Sequence, residues 1–228
     1  MVDWVYKHRP QTIDEMALYP ALRKRLNYYE TTGDFSHLMM VGDTGTGKTT
    51  AARILGDNKK LDVMEYDCAQ KHSKDDMLHI AKNITRRSLW GKKRCIVLDE
   101  FHDVPPQLQK VFNKTLEDYA TDNVFVFCVN DVEAVSKPIV SRCATLHFDV
   151  GLIDPKTLKM RMYPEVEMSK EEWIAELHRV GRIVSKKGGV DITDELLNHT
   201  SNMDVCLVDA RRFIRNLEEQ YKMELMEQ

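Results

Sequence analysis

Nothing in the 228 residues approaches the roughly 18 consecutive apolar residues that a membrane-crossing helix needs, which excludes a helical span as the basis of function. The first ten residues, MVDWVYKHRP, lack the apolar stretch of a secretory signal, so the chain is expected in a cytoplasm, the host's if the source is viral. Cysteine is sparse: Cys68, Cys95, Cys128, Cys143 and Cys206 are odd in number, widely spaced and form no C-x-x-C pair. That pattern excludes a disulfide framework, offers no zinc signature and leaves buried free thiols as the expectation. A basic excess is missing too. A formal charge of −3 argues against strong, unconditional binding to nucleic acid, so any DNA contact is expected to be local and conditional. Internal repeats and low-complexity tracts are absent.

Against these absences stands one dense signal. Residues 42 to 49 read GDTGTGKT, a complete G-x-x-x-x-G-K-S/T phosphate-binding loop formed by Gly42, Asp43, Thr44, Gly45, Thr46, Gly47, Lys48 and Thr49. The apolar run His37-Leu38-Met39-Met40-Val41 precedes it as a buried strand would, and the helix-forming stretch Thr49 to Leu55 follows, beginning with Thr49 and Thr50. In that order, glycines let successive backbone N–H groups turn toward one point, where the helix N-terminus adds partial positive charge. The expected ligand is ATP, with Lys48 reaching its outer phosphates and the Thr49 hydroxyl binding a bridging Mg2+.

The 43% hydrophobic content is enough for a real core, in one large domain or two smaller ones. From Leu38 to Phe148 strand-like and helix-like segments alternate, which predicts an α/β fold with a parallel five-stranded sheet sandwiched by helices. The strands are expected at Leu38–Val41, Val63–Asp67, Cys95–Asp99, Val124–Val129 and Thr145–Phe148. After about Gly151 strand signals stop, so residues 1–150 are expected to form the nucleotide-binding domain and 151–228 a small all-helical lid. In the lid, Ser169-Lys170-Glu171-Glu172 is a capping box before Trp173, Ile174, Leu177, Val180, Ile183 and Val184 at helical spacing, and Gly188-Gly189 ends that helix. Thr193 is expected to cap a second helix, and Val205 to about Met226 to make a third.

Cys95-Ile96-Val97-Leu98-Asp99-Glu100 carries two acids to the end of a buried strand, the edge where such sheets bind ligands. Asp99 is expected to hold magnesium, and Glu100 to polarise the attacking water. Asn130 ends the next strand with a donor and an acceptor at the same edge, placed either to report on a γ-phosphate or to start a turn with Asp131. Arg142, after Lys137-Pro138, is expected on the far side of the domain, where it could serve only a neighbouring subunit's site; otherwise it is a surface ion-pair residue. In the last helix, Ala210, Phe213, Ile214, Leu217, Tyr221 and Leu225 share one face, with Arg211 roughly 95° and Arg212 about 165° from its centre. Arg211 is the better placed of the two to reach a bound nucleotide.

Together these motifs resemble the AAA+ ATPases, and specifically the motor subunits of sliding-clamp loaders, including bacteriophage ones, over about Trp4 to Glu219. Asp99-Glu100 is similar to the family's Walker B pair, Asn130 to its first sensor, Ser141-Arg142-Cys143 to its arginine-finger motif, and Asp209-Ala210-Arg211-Arg212 to its second-sensor helix. Trp4-Val5-Tyr6-Lys7-His8-Arg9-Pro10 resembles the segment that folds beside the adenine, which implies contacts from Val5, Arg9 and Pro10. His8 stands where a tyrosine is usual, and Phe101-His102 where a small residue and an acid are common. On this resemblance a subunit lacking the family's helical collar beyond the lid is expected, either a minimal one or one whose collar lies on another polypeptide. The resemblance implies an oligomer of this subunit with itself or with other loader subunits. It also implies ATP-driven opening of a ring-shaped sliding clamp and its sequence-independent loading on primer-template DNA. Clamp contact is implied around Val104 to Lys110 and DNA contact around Lys71, Lys74, Lys82, Arg86 and Arg87. Other AAA+ DNA machines (a helicase loader, an initiator or a branch-migration motor) remain an alternative, as do a small-molecule kinase and a nucleotide-binding scaffold.

Overall fold

The computed structural model describes residues 3–57, 61–70, 73–84, 93–153, 159–202 and 206–227. The chain divides into two compact units, one of Arg25–Asp43 and Lys48–Phe148, the other of Met1–Lys24, Thr44–Gly47 and Asp149–Gln228.

The first unit is built on five parallel strands, β1 (Leu38–Val41), β2 (Leu61–Asp67), β3 (Lys93–Asp99), β4 (Asn123–Val129) and β5 (Ala144–His147), in the order β2-β3-β4-β1-β5. All of β1 and β4 is buried, as is Cys95 to Leu98 of β3, which is why these strands read as unbroken apolar runs rather than alternating ones. The edge strand β2 is mostly half-buried. Each expected strand is present, and β2, β3, β4 and β5 start one or two residues earlier than hydropathy predicts because pairing continues into polar residues such as Arg94 and Asn123. The strands are crossed by α3 (Lys48–Asp57), α4 (Lys74–Ile84), α5 (Pro106–Asp118) and the short α6 (Lys137–Val140); α1 (Trp4–Lys7) and α2 (Pro20–Thr32) precede the sheet. The register pairs Val41 with Val129 and Leu98 with Phe127 across β4 and its neighbours. The ends of β1, β3 and β4 are thus brought to one edge of the sheet.

Behind that edge Phe101, fully buried, meets Phe112 edge-on at 5.3 Å and Phe127 at 4.8 Å between ring centres. Such aromatic contacts add about 0.5–1.5 kcal/mol each beyond the burial itself. Phe101 follows Glu100 directly, so the core grips the chain one residue from the acid pair.

In the second unit α7 (Lys170–Lys187), α8 (Asp194–Ser201) and α9 (Ala210–Glu227) enclose a core of Trp173, Leu177, Val184, Leu197, Phe213 and Leu217. Ser169 and Glu172 form the reciprocal cap, at 3.1 and 2.7 Å, and the Thr193 hydroxyl accepts the Leu196 N–H at 3.2 Å. The Trp4 N–H donates to buried Glu218 at 2.8 Å, tying α1 to α9.

Three expectations for this unit are corrected. It is not all-helical: Gly151–Ile153 and Met160–Met162 pair as antiparallel strands β6 and β7, whose three-residue runs are too short to show a strand period. The last helix starts at Ala210 rather than Val205, because the Asp209 carboxylate accepts the Arg212 N–H at 3.0 Å and opens the helix there. Its apolar face ends at Tyr221, with Leu225 54% exposed. No helix among the described residues is long and apolar enough to cross a membrane.

Candidate nucleotide site

Gly45 and Gly47 have φ of +87° and +101°, a conformation that costs glycine nothing and strains other residues. A side chain on Gly45 would also collide with the Asp209 carboxylate, so the loop bends without bulk at the point where its N–H groups must converge. Lys48 opens α3 and is buried. Its ammonium donates to the Gly42 carbonyl at 2.5 Å, the Asp43 carbonyl at 3.0 Å and Asn130 Oδ1 at 3.0 Å. A buried cation held by neutral oxygens, at the positive end of a ten-residue helix, makes a strong locus for an anion. Thr50 is half-buried on the same first turn, while Asp43 and Thr44 are exposed and Thr46 is buried.

Thr49 and Asp99 lie fifty residues apart in sequence, yet the Thr49 hydroxyl reaches both Asp99 carboxylate oxygens, at 3.0 and 2.8 Å. Two hard oxygen donors at this edge suit Mg2+, which takes few protein ligands and fills its octahedron with phosphate and water oxygens. No cluster of three or more His, Cys, Asp or Glu able to hold a metal occurs among the described residues.

Glu100 adopts the left-handed conformation, φ 51° and ψ 38°, uncommon for a residue with a side chain, and its side chain is 33% exposed. The β3 backbone ends at Asp99 and must swing to deliver Phe101 to the core; Glu100 makes that turn. Asn130 does face the Lys48 ammonium, while the turn beginning at Asp131 is capped separately by the Asp131 carboxylate on the Glu133 N–H at 2.9 Å.

Two residues here carried no sequence signal. His102 lies against both Asn130 and Glu100. Gln109 is fully buried on α5; its Nε2 donates to the Val104 and Ala134 carbonyls at 2.9 Å each, and its Oε1 accepts the Ser136 N–H at 2.7 Å. One amide thus ties the segments following Glu100 and Asn130 to the start of α6. Its neighbours in the sequence, Leu108 and Lys110, with Gln107 close by, give no hint of it.

Arg142 lies outside this group. Among the described residues it pairs with the Glu117 carboxylate and donates to the Pro138 carbonyl at 2.6 Å. Arg211 and Arg212 are both exposed at the start of α9. Val5 donates its N–H to Asp3 at 2.9 Å within α1, and Arg9 and Pro10, half-buried, follow that helix. The thiols are chemically quiet: burial raises Cys68, Cys95 and Cys143 to about 12 and Cys128 well above its ordinary range, and raises Cys206 as well. All five cysteines are free.

A sequence profile of the family described as "ATPase family associated with various cellular activities (AAA)" matches residues 38–150. Those residues form an AAA ATPase domain. The chain carrying this AAA domain is homologous to replication factor C small subunits. It is 27% identical to that of Natronomonas pharaonis, over 84% of this chain and 54% of the relative, and 31% identical to that of Haloarcula marismortui, over 64% and 46%. It spans about half the length of these relatives. In fold it is similar to the Thermotoga maritima RuvB Holliday junction branch migration motor, with a TM-score of 0.61 at 17% identity over 94% of this chain and 72% of that one. A single-substitution variant of the same RuvB aligns with a TM-score of 0.70 at 19% identity, over 96% and 66%. At such identities the likeness to RuvB is one of fold.

Proposed function

We propose that the chain is an ATP-hydrolysing motor subunit of a sliding-clamp loader, which opens a ring-shaped polymerase clamp and loads it on primer-template DNA. The observation that carries this reading is the convergence of Lys48, Thr49, Asp99 and Asn130 at one sheet edge of a domain whose sequence relatives are replication factor C small subunits.

Each residue has a task in that reaction. The N–H groups of Asp43 to Thr50 and the Lys48 ammonium bind and orient the triphosphate, and Gly42, whose own N–H donates to the Val129 carbonyl at 3.1 Å, begins the loop. Thr49 and Asp99 hold Mg2+, which when bound neutralises charge on the phosphate oxygens. Glu100 accepts a proton from the attacking water, and Asn130 positions the terminal phosphoryl group. Lys48 now sits on Gly42, Asp43 and Asn130 oxygens, so it is already poised and only exchanges partners on binding. Arg142 stabilises developing charge in a neighbouring subunit's site, Arg211 senses the nucleotide from the lid, and Val5, Arg9 and Pro10 border the adenine.

The subunit works in a cytoplasmic oligomer with copies of itself or with related subunits. Exposed Lys74 and Lys82 on α4 touch DNA phosphates without reading sequence, as do Lys71, Arg86 and Arg87, which lie outside the described residues. The segment from Val104 to Lys110 meets the clamp.

The deciding experiment measures ATP turnover with and without primer-template DNA and the cognate clamp. Stimulation by both together is expected, with Glu100→Gln retaining ATP binding and losing at least about a hundredfold in kcat. Turnover indifferent to clamp and DNA would overturn the loader assignment, and undiminished hydrolysis by Glu100→Gln would remove Glu100 from water activation.

A further inference from the structure

His102 lies in the 3-10 turn Phe101–Asp103 with its side chain 19% exposed, between two residues assigned to the reaction. Its Nδ1 is 3.4 Å from the Asn130 backbone nitrogen, and its Nε2 is 3.3 Å from Asn130 Nδ2 and 3.4 Å from Glu100 Oε2. Asp103 stands farther off, at 3.9 Å. The Asn130 amide has one workable orientation: the Lys48 ammonium is a donor only and claims Oδ1, so Nδ2 must face the imidazole.

A neutral imidazole has one N–H and one lone pair. With the proton on Nε2, Nδ1 accepts the Asn130 backbone N–H and Nε2 donates to Glu100. With the proton on Nδ1, Nε2 accepts from Asn130 Nδ2, but Nδ1–H then faces the Asn130 backbone N–H, which loses its acceptor, and Glu100 loses its donor. The two claims on Nε2 are mutually exclusive.

We propose that His102 is a positioning residue for Glu100, its Nε2 serving either the Asn130 amide or the Glu100 carboxylate, so that engagement of Asn130 elsewhere frees the ring to fix Glu100. The inference rests on the assignment of Glu100 to water activation. Fixing one carboxylate oxygen leaves the other to take the proton from water. Without that donor the partly exposed carboxylate rotates freely, which lowers kcat and leaves nucleotide binding to Lys48 and the loop unaffected.

Two measurements test it. In steady-state kinetics His102→Ala is expected to lower kcat by about tenfold or more, with KM and ATP affinity within about twofold of wild type. His102→Gln, which keeps one donor and one acceptor, is expected to recover a large part of the loss. Unchanged kcat in His102→Ala beside an inactive Glu100→Gln overturns the inference alone. So does a His102→Gln variant no better than His102→Ala. If Glu100→Gln itself turns over normally, the water-activation reading is what fails. The second measurement needs no turnover: imidazole 15N shifts of the nucleotide-free protein report the tautomer directly. Asn130→Ala, which removes the competing amide, is expected to move the His102 proton toward Nε2; an unchanged population with the proton on Nδ1 in both proteins overturns the inference.

Discussion

Replacing Gln109 by methionine keeps the side chain's length and approximate volume while deleting all three of its hydrogen bonds, so the fully buried site loses polarity without gaining a cavity. What remains is the buried Val104 carbonyl and the half-buried Ala134 carbonyl and Ser136 N–H, each deprived of the amide. An unsatisfied buried group costs about 1–3 kcal/mol; with the carbonyls near the low end and the N–H higher, the sum is about 3–4 kcal/mol. For a chain of this length each kcal/mol corresponds to about 2–4 °C, so the melting temperature should fall by roughly 6–16 °C. Urea titration and thermal melting followed by circular dichroism would measure both quantities. Gln107→Met, on the exposed side of the same helix, should stay within about 0.5 kcal/mol of wild type. If Gln109→Met were equally silent, the amide would contribute nothing beyond its volume and its role as a tie between the three segments would be refuted.

Other consequences are as direct. Mixing Arg142→Ala subunits with Lys48→Ala subunits should restore a fraction of active sites if Arg142 serves a neighbour; failure of mixed oligomers, with assembly verified by light scattering, would rule out a shared site. His37 is held below its ordinary value of 6.5, first by burial, with the Leu116 carbonyl opposing and Lys93 adding, and its Nδ1 accepts the Phe125 N–H at 3.2 Å. The folded protein therefore binds fewer protons here than the unfolded chain, so stability should fall as pH drops from about 6.5 toward the folded-state pKa, and His37→Gln should flatten that slope in urea titrations between pH 7 and 5. Ser169→Ala removes the acceptor for the Glu172 N–H and should cost about 1 kcal/mol, read from the same denaturation curves.

The sheet and the phosphate loop were legible because their physics is contiguous: a strand covered on both faces leaves an unbroken apolar run, and a loop that wraps an anion leaves its glycines at fixed intervals. Leu38–Val41, followed at once by Gly42, shows both signals without help from the rest of the chain. His102 and Gln109 were illegible for the opposite reason. Each satisfies partners at least 25 residues away as well as local ones, so nothing in its neighbourhood distinguishes it from a polar residue facing solvent. Periodicity likewise found the apolar face of α9 but carried it one turn too far to Leu225, since a repeat says which residues share a side and not where the neighbouring helices stop covering it. The β6–β7 pair is too short to carry a period at all, and the Arg142 contact with Glu117 joins an exposed residue in the turn after α6 to an exposed one on α5.

The left-handed step at Glu100 leaves the junction no slack. A single residue separates the half-buried Asp99 at the sheet edge from a phenyl ring sealed against Phe112 and Phe127, and that residue alone makes the left-handed step. Losing or gaining one position between Asp99 and Phe101 would aim the ring at water or the carboxylate at oil. Here the count of residues is itself the constraint.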